Sequence, residues 1–237
     1  MNRFARILLT GILPLLLAGV LPAWAGYEEL FQTVKNASWA IYVREVGGMK
    51  AICSAGAFET TPTTTKLITA GHCFIGSDLR KTDFLVTQDH KRFVKAELVT
   101  NGLKMTKTAR KATSTDLDDF EGDDWAIIRA HIGNQAVMPI GDSDALVIGE
   151  DLVIVGLPFG VDFLAVQGIV GSKDLSLSTL VWNHYPAANV FVAGGNSGSA
   201  VVSTRQKAIV GIVVAGPGAQ SSMMIFFPIN ALPKDTR

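Results

Sequence analysis

The chain has 237 residues, with 21 basic and 21 acidic side chains, so its formal net charge is zero, and 48% of its residues are apolar. That balance excludes nucleic acid or another polyanion as the main partner. The apolar content is ample for a core, and the roughly 210 residues after an N-terminal leader suffice for one all-β domain or two small packed barrels.

Residues 1–25 have the form of a Sec-type signal peptide. Arg3 and Arg6 give a positive start, Ile7 to Leu21 is almost wholly apolar, and Ala23-Trp24-Ala25 is a small-x-small cleavage site that leaves Gly26 as the expected mature N-terminus. The rival is an uncleaved anchor, since the apolar run approaches spanning length. Pro14 and the cleavage site favour removal. No later stretch is long and apolar enough to span a bilayer. The expectation is therefore a secreted or periplasmic protein, free of the membrane after cleavage.

Helical periodicity marks Tyr27–Ala37, and a shorter trace marks Ile229–Lys234. Between them, short β-rich runs are separated by Gly, Pro, Asn and Asp. The first group is Trp39–Arg44, Ala51–Glu59, Lys66–Thr69, Phe84–Thr87, Phe93–Val99 and Trp125–Arg129. The second is Asp151–Gly156, Phe163–Val170, Leu177–Trp182, Val190–Ala193, Ser199–Val202, Ala208–Val214 and Met223–Phe227. This spacing predicts an all-β antiparallel fold rather than βαβ units. About six runs fall on each side of residues 131–150, so two six-stranded barrels are expected, over about 36–130 and 150–230. Asn101 to Asp123 is polar, basic first (Lys104, Lys107, Arg110, Lys111) and acidic later (Asp116, Asp118, Asp119, Glu121). It reads as a solvated surface loop; a steering loop leading into Asp124 is the sharper alternative.

Three motifs carry chemistry: Thr69-Ala70-Gly71-His72-Cys73, Asp124-Trp125-Ala126-Ile127-Ile128 and Gly195-Asn196-Ser197-Gly198-Ser199. A serine hydroxyl is a poor nucleophile at neutral pH. It needs an imidazole to take its proton and a carboxylate to hold that imidazole in the right tautomer. His72 follows an apolar strand and a glycine turn; His90, His131 and His184 lack such a context and are expected to be structural or exposed. Asp124 abuts an alternating apolar strand, where a carboxylate is costly unless paired; Asp123 competes for the role. Ser197 is set among glycines that let main-chain N–H groups at Gly195 and Ser197 point at an oxyanion. Ser199 is the fallback nucleophile. The two cysteines, Cys53 and Cys73, most simply form one disulfide in an exported protein, tethering the residue beside His72. Two cysteines alone do not fill a zinc site.

The order His, Asp, Ser within these motifs resembles the trypsin/chymotrypsin-like serine peptidases over roughly residues 36–232. Val153-Ile154-Val155-Gly156-Leu157-Pro158-Phe159-Gly160, Val166-Gln167-Gly168-Ile169-Val170 and Phe226-Phe227-Pro228-Ile229-Asn230 resemble the HtrA/Deg-type bacterial branch. The Ala-Gly-His-Cys with an upstream cysteine departs from that branch toward the animal and secreted bacterial enzymes. With no room after Arg237, no PDZ module is expected within residues 26–237, which form the peptidase domain. The resemblance implies two Greek-key barrels with His72 and Asp124 from the first and Ser197 from the second. It implies protein or peptide substrates and neither metal nor organic cofactor. The family pattern puts Phe191 and Val192 at the floor of the first specificity pocket and Val214, Ala215 and Gly216 along its wall. Neither Val190–Asn196 nor Gly211–Pro228 contains a carboxylate, so an apolar rather than an arginine or lysine side chain is expected there. Asn196, neutral where an activating N-terminus would need an aspartate, implies competence without zymogen cleavage. The alternatives are a non-catalytic binding protein on the same fold and an esterase using the same acyl chemistry. No Gly-x-Ser-x-Gly elbow joins a strand to a helix, which argues against an α/β-hydrolase.

Overall fold

A computed structural model of the chain describes residues 21–45, 47–75, 84–105, 120–176, 183–218 and 220–236. Most of the expected signal, residues 1–20, and the expected strand Leu177–Trp182 lie outside them. Helix α1 (Leu21–Asn36) begins earlier than its periodicity suggested. Leu30 and Val34, four residues apart, bury one stripe of it in the core. Tyr27 Oη donates to Asp151 Oδ2 at 3.0 Å, which ties the helix to the second half of the chain. Among the described residues no helix is long and apolar enough to cross a membrane.

Two closed antiparallel barrels follow. The first contains β1 (Ser38–Glu45), β2 (Gly48–Thr60), β3 (Thr65–Thr69), β4 (Phe84–Thr87), β5 (Val94–Met105) and β6 (Phe120–Ala130), in the order β1-β2-β3-β6-β5-β4. The second contains β7 (Asp151–Gly156), β8 (Leu164–Leu175), β9 (Tyr185–Ala193), β10 (Ala200–Ser203), β11 (Ala208–Ala215) and β12 (Gln220–Pro228), in the order β10-β11-β12-β9-β8-β7. Residues 131–150 connect them. Ile229–Lys234 is not one helix but the start of two 3₁₀ turns, Ile229–Ala231 and Lys234–Thr236.

Period-two alternation explains how both faces of these strands are buried. Along β1, Trp39, Ile41 and Val43 belong to the main core cluster, while Ala40 and Tyr42 pack against Leu157 of the second barrel. The main cluster runs across the seam to Ala200, Ile209, Ile212 and Phe227. A second cluster, including Ile154, Val190, Val201, Val210 and Phe226, fills the second barrel. The barrels therefore share apolar surface, which fixes their mutual position.

Both ends of the polar stretch Asn101–Asp123 are strand rather than loop, and its middle, 106–119, lies outside the described residues. Strand β5 continues to Met105 and pairs with β6, Leu103 opposite Gly122 and Lys104 opposite Glu121. Lys104 and Glu121 thus face each other as a cross-strand pair of opposite charge. Local hydropathy missed it because this end of the ribbon buries little.

Cys53 on β2 and Cys73 in the 3₁₀ turn Gly71–Phe74 form a disulfide with a sequence separation of 20. Closing such a loop stabilises by about 3 kcal/mol in the chain-entropy model. The Cys53→Ala/Cys73→Ala variant is expected to melt about 6–12 °C lower, at about 2–4 °C per kcal/mol. Thermal denaturation followed by circular dichroism measures this; an unmoved midpoint would mean the bridge is not formed or not stabilising.

Candidate active site

His72 sits in the 3₁₀ turn that ends β3, at the barrel seam. The turn is braced from β5: Asn101 Nδ2 donates to the Gly71 carbonyl at 3.1 Å, and Asn101 Oδ1 accepts from Leu103 N–H at 2.9 Å. Asp124, on β6, has no exposed surface. Both its oxygens face His72: Oδ1 accepts the main-chain N–H at 2.8 Å, and Oδ2 lies 2.8 Å from Nδ1. A carboxylate only accepts, so Nδ1 carries the hydrogen and Nε2 is left with its lone pair. Burial pulls the His72 pKa down, but the charge and hydrogen bond of Asp124 outweigh it and leave it raised above 6.5. The protonated pair therefore stabilises the fold below the ordinary imidazole range. That contribution is lost as pH rises through the raised folded value.

Asp123 points the other way along the alternation of β6. It accepts from Tyr185 Oη at 3.1 Å, and the Tyr185 ring packs edge-on against Phe227. Burial and then the Asp123 charge push the Tyr185 phenol upward, so it stays a donor. Of the two candidate acids, Asp124 is the one on His72.

Ser197 lies in the loop between β9 and β10. It shares with His72 a cavity of about 250 Å³, also lined by Val192, Ala193, Gly194, Val213, Val214, Ala215, Gly216 and Gly218. Four of the five pocket residues expected from sequence line it. Phe191 does not: alternation turns it to the opposite face of β9, where it is 41% exposed. No lining residue is a carboxylate. Ser199, the fallback nucleophile, is fully buried.

Gly195 has φ +99° and Gly198 φ +85°. A Cβ on Gly198 would lie 2.0 Å from Thr69 Oγ1 and 2.2 Å from the Ser54 carbonyl oxygen, so both conformation and space demand glycine. Asn196 is buried and caps its own loop, its Oδ1 accepting from Ala193 N–H at 3.3 Å. Among the described residues, the Gly195 and Ser197 N–H groups donate to no protein acceptor.

His131 is exposed. His184 is exposed and meets Asp174 at 2.9 Å, and His90 lies 2.9 Å from Tyr42 Oη; none faces the cavity. Cys53, His72 and Cys73 are clustered, but the sulfurs bond each other and His72 Nδ1 serves Asp124, so no thiolate set remains for a metal. Ser54, Asn101 and Tyr185 escaped the sequence reasoning. Each acts through a long-range hydrogen bond that leaves no local pattern.

The double barrel thus brings His72 and Ser197 to one cavity at the seam, with the buried Asp124 on His72. The model of the trypsin-like peptidase domain matches residues 58–212, and the chain belongs to that family. It is 29% identical over 103 residues to a probable periplasmic serine endoprotease, DegP-like, of Hahella chejuensis, covering 44% of this chain and 22% of the relative. It is 32% identical over 126 residues to a serine protease, HtrA-like, of Staphylococcus aureus, covering 47% of this chain and 16% of the relative. The matches thus span about a fifth of those relatives' length. In fold it is similar to the HtrA-type protease AlgW bound to a tripeptide, with TM-score 0.66 and 21% identity over 86% of this chain and 60% of that one. A serine endoprotease from Yersinia pestis gives TM-score 0.61 at 18% identity, over 85% of this chain and 62% of that one.

Replacing Asp124 by Asn removes the charge that raises His72 and leaves the burial that lowers it. The imidazole of Asp124→Asn is expected to titrate at lower pH than wild type, measured by NMR of the ring protons. A midpoint that stays put or rises contradicts this electrostatic account.

Proposed function

We propose that the chain is a serine endopeptidase of the HtrA/Deg type that works outside the cytoplasm. The observation that carries the reading is the pairing of His72 with a buried Asp124 at a cavity that also holds Ser197. A binding module has no use for a buried carboxylate aimed at one imidazole. The names of the DegP-like relatives and the leader-like residues 1–25 support export.

In this mechanism His72 Nε2 takes the proton from Ser197 Oγ as the oxygen attacks the scissile carbonyl carbon. The C–O bond forms, the carbonyl π pair moves to oxygen, and the oxyanion accepts from the Gly195 and Ser197 N–H groups. Asp124 stabilises the imidazolium, which then protonates the leaving amine as the C–N bond breaks. Water, deprotonated by His72, cleaves the acyl-enzyme by the same steps in reverse order. The substrate main chain adds as a strand along Val214–Gly216. A small or medium apolar side chain enters the cavity beside Val192 and Val213. The inward self-cap of Asn196 supports a site that needs no freshly cut N-terminus.

Ser197→Ala is expected to abolish proteolysis by at least 10³-fold and to block labelling by a fluorophosphonate; persistence of either refutes the nucleophile. In wild type, kcat/KM should fall as pH drops through the His72 value, which lies above 6.5, because imidazolium cannot accept the serine proton. A pH series on a peptide substrate tests this, and a flat profile through that range counts against His72 as base. A peptide library should show cleavage after Ala, Val or a similar side chain and little after Arg or Lys.

A further inference from the structure

Ser54, a fully buried residue of β2 in the first barrel, reaches across the seam to the nucleophile loop of the second. Its hydroxyl donates to the Gly195 carbonyl at 2.8 Å and accepts from Leu157 N–H at 3.0 Å. Its main-chain N–H donates to the Ser197 carbonyl at 2.8 Å. Its own carbonyl accepts from Thr69 Oγ1 at 2.7 Å, three residues before His72. One residue thus bonds the loop that carries Ser197, the turn at Leu157 and the strand that leads to His72.

The consequence follows peptide by peptide. In a trans peptide the C=O and N–H leave on opposite sides, so holding the carbonyl aims the N–H. The Gly195–Asn196 unit is held at both ends, its carbonyl by Ser54 Oγ and its N–H by the Ala193 carbonyl at 3.0 Å. The Ser197–Gly198 unit is also held at both ends, its carbonyl by Ser54 N–H and its N–H by the Val213 carbonyl at 2.7 Å. The two interleaved units are held by their carbonyls alone. Gly194 C=O accepts from Phe159 N–H at 2.6 Å, and Asn196 C=O accepts from Ser199 N–H at 2.9 Å. Their N–H groups, on Gly195 and Ser197, are the two left for an oxyanion. Phe159 belongs to the turn that starts at Leu157, whose N–H rests on the same Ser54 hydroxyl.

On this geometry we infer that Ser54 is a positioning residue for the oxyanion hole: its hydroxyl holds the Gly195 carbonyl and the Leu157 turn so that the Gly195 N–H faces the reacting oxygen. The inference rests on the peptidase reading above. It assigns Ser54 no contact with substrate. Its loss therefore weakens transition-state binding and leaves ground-state binding alone.

Ser54→Ala removes the hydroxyl and keeps the main-chain N–H on Ser197. Its kcat on a peptide substrate is expected to fall about 10- to 100-fold with KM unchanged, short of the 10²- to 10³-fold seen when an oxyanion donor is deleted outright. A peptide aldehyde, whose serine adduct carries the oxyanion, should lose affinity by the same factor as kcat/KM. Ser54→Thr, which keeps the hydroxyl, should recover kcat to within a few-fold. If Ser54→Ala does not fold, Ser54→Gly, which also lacks the hydroxyl, is assayed in its place with the same expectation. A folded hydroxyl-less variant with wild-type kcat, or one whose loss lies wholly in KM, overturns the inference alone. A wild type that neither labels with fluorophosphonate nor cleaves peptide overturns the peptidase reading and this inference with it.

Discussion

A carboxylate with no exposed surface sits between strand β6 and the turn after β3. Taking an ion out of water costs several kcal/mol unless its oxygens find strong donors. Asp124 has two from one residue, the main-chain N–H and Nδ1–H of His72. The carboxylate thus dictates where His72 must be, which tautomer it holds and which nitrogen faces the cavity. Breaking the pair from either side removes a strong partner from the other residue, so the arrangement behaves as a unit.

Much of the first barrel serves that placement. Asn101 braces the Gly71 carbonyl from β5, and the Cys53–Cys73 disulfide fixes the residue after His72 to β2. Tyr185 holds Asp123 from the second barrel, so the strand segment carrying Asp124 is fastened from both sides of the seam. Local mobility there would misplace the imidazole by fractions of an ångström, enough to weaken a charge-assisted hydrogen bond.

The second barrel contributes a loop rather than a strand. Its carbonyls are held from three directions, by Ser54, by the turn at Phe159 and by its own Ser199 N–H. Such a loop has little freedom left to reorganise when charge develops on a substrate oxygen, which is the condition under which fixed dipoles are most effective. Beside His72 and Ser197, the adjoining cavity takes apolar side chains from both strands, Val192 of β9 and Val213 and Val214 of β11.

Strand positions, the two-barrel count and the motifs around His72, Asp124 and Ser197 could be read from the letters. Alternation of apolar residues and the grouping of glycines are local patterns dictated by backbone geometry. What folding alone decided are contacts between segments with no shared pattern. Ser54 and Gly195 are 141 residues apart; nothing near Ser54 marks it as a partner of the nucleophile loop. The turning of Phe191 out of the pocket depends on strand register. A shift of one residue exchanges the two faces. The polar end of the β5–β6 ribbon likewise forms by pairing across strands rather than by burying a stripe, so hydropathy was silent there. Local sequence thus determined which chemical groups are present and on what kind of element, while only the packing of one barrel on the other decided which of them touch.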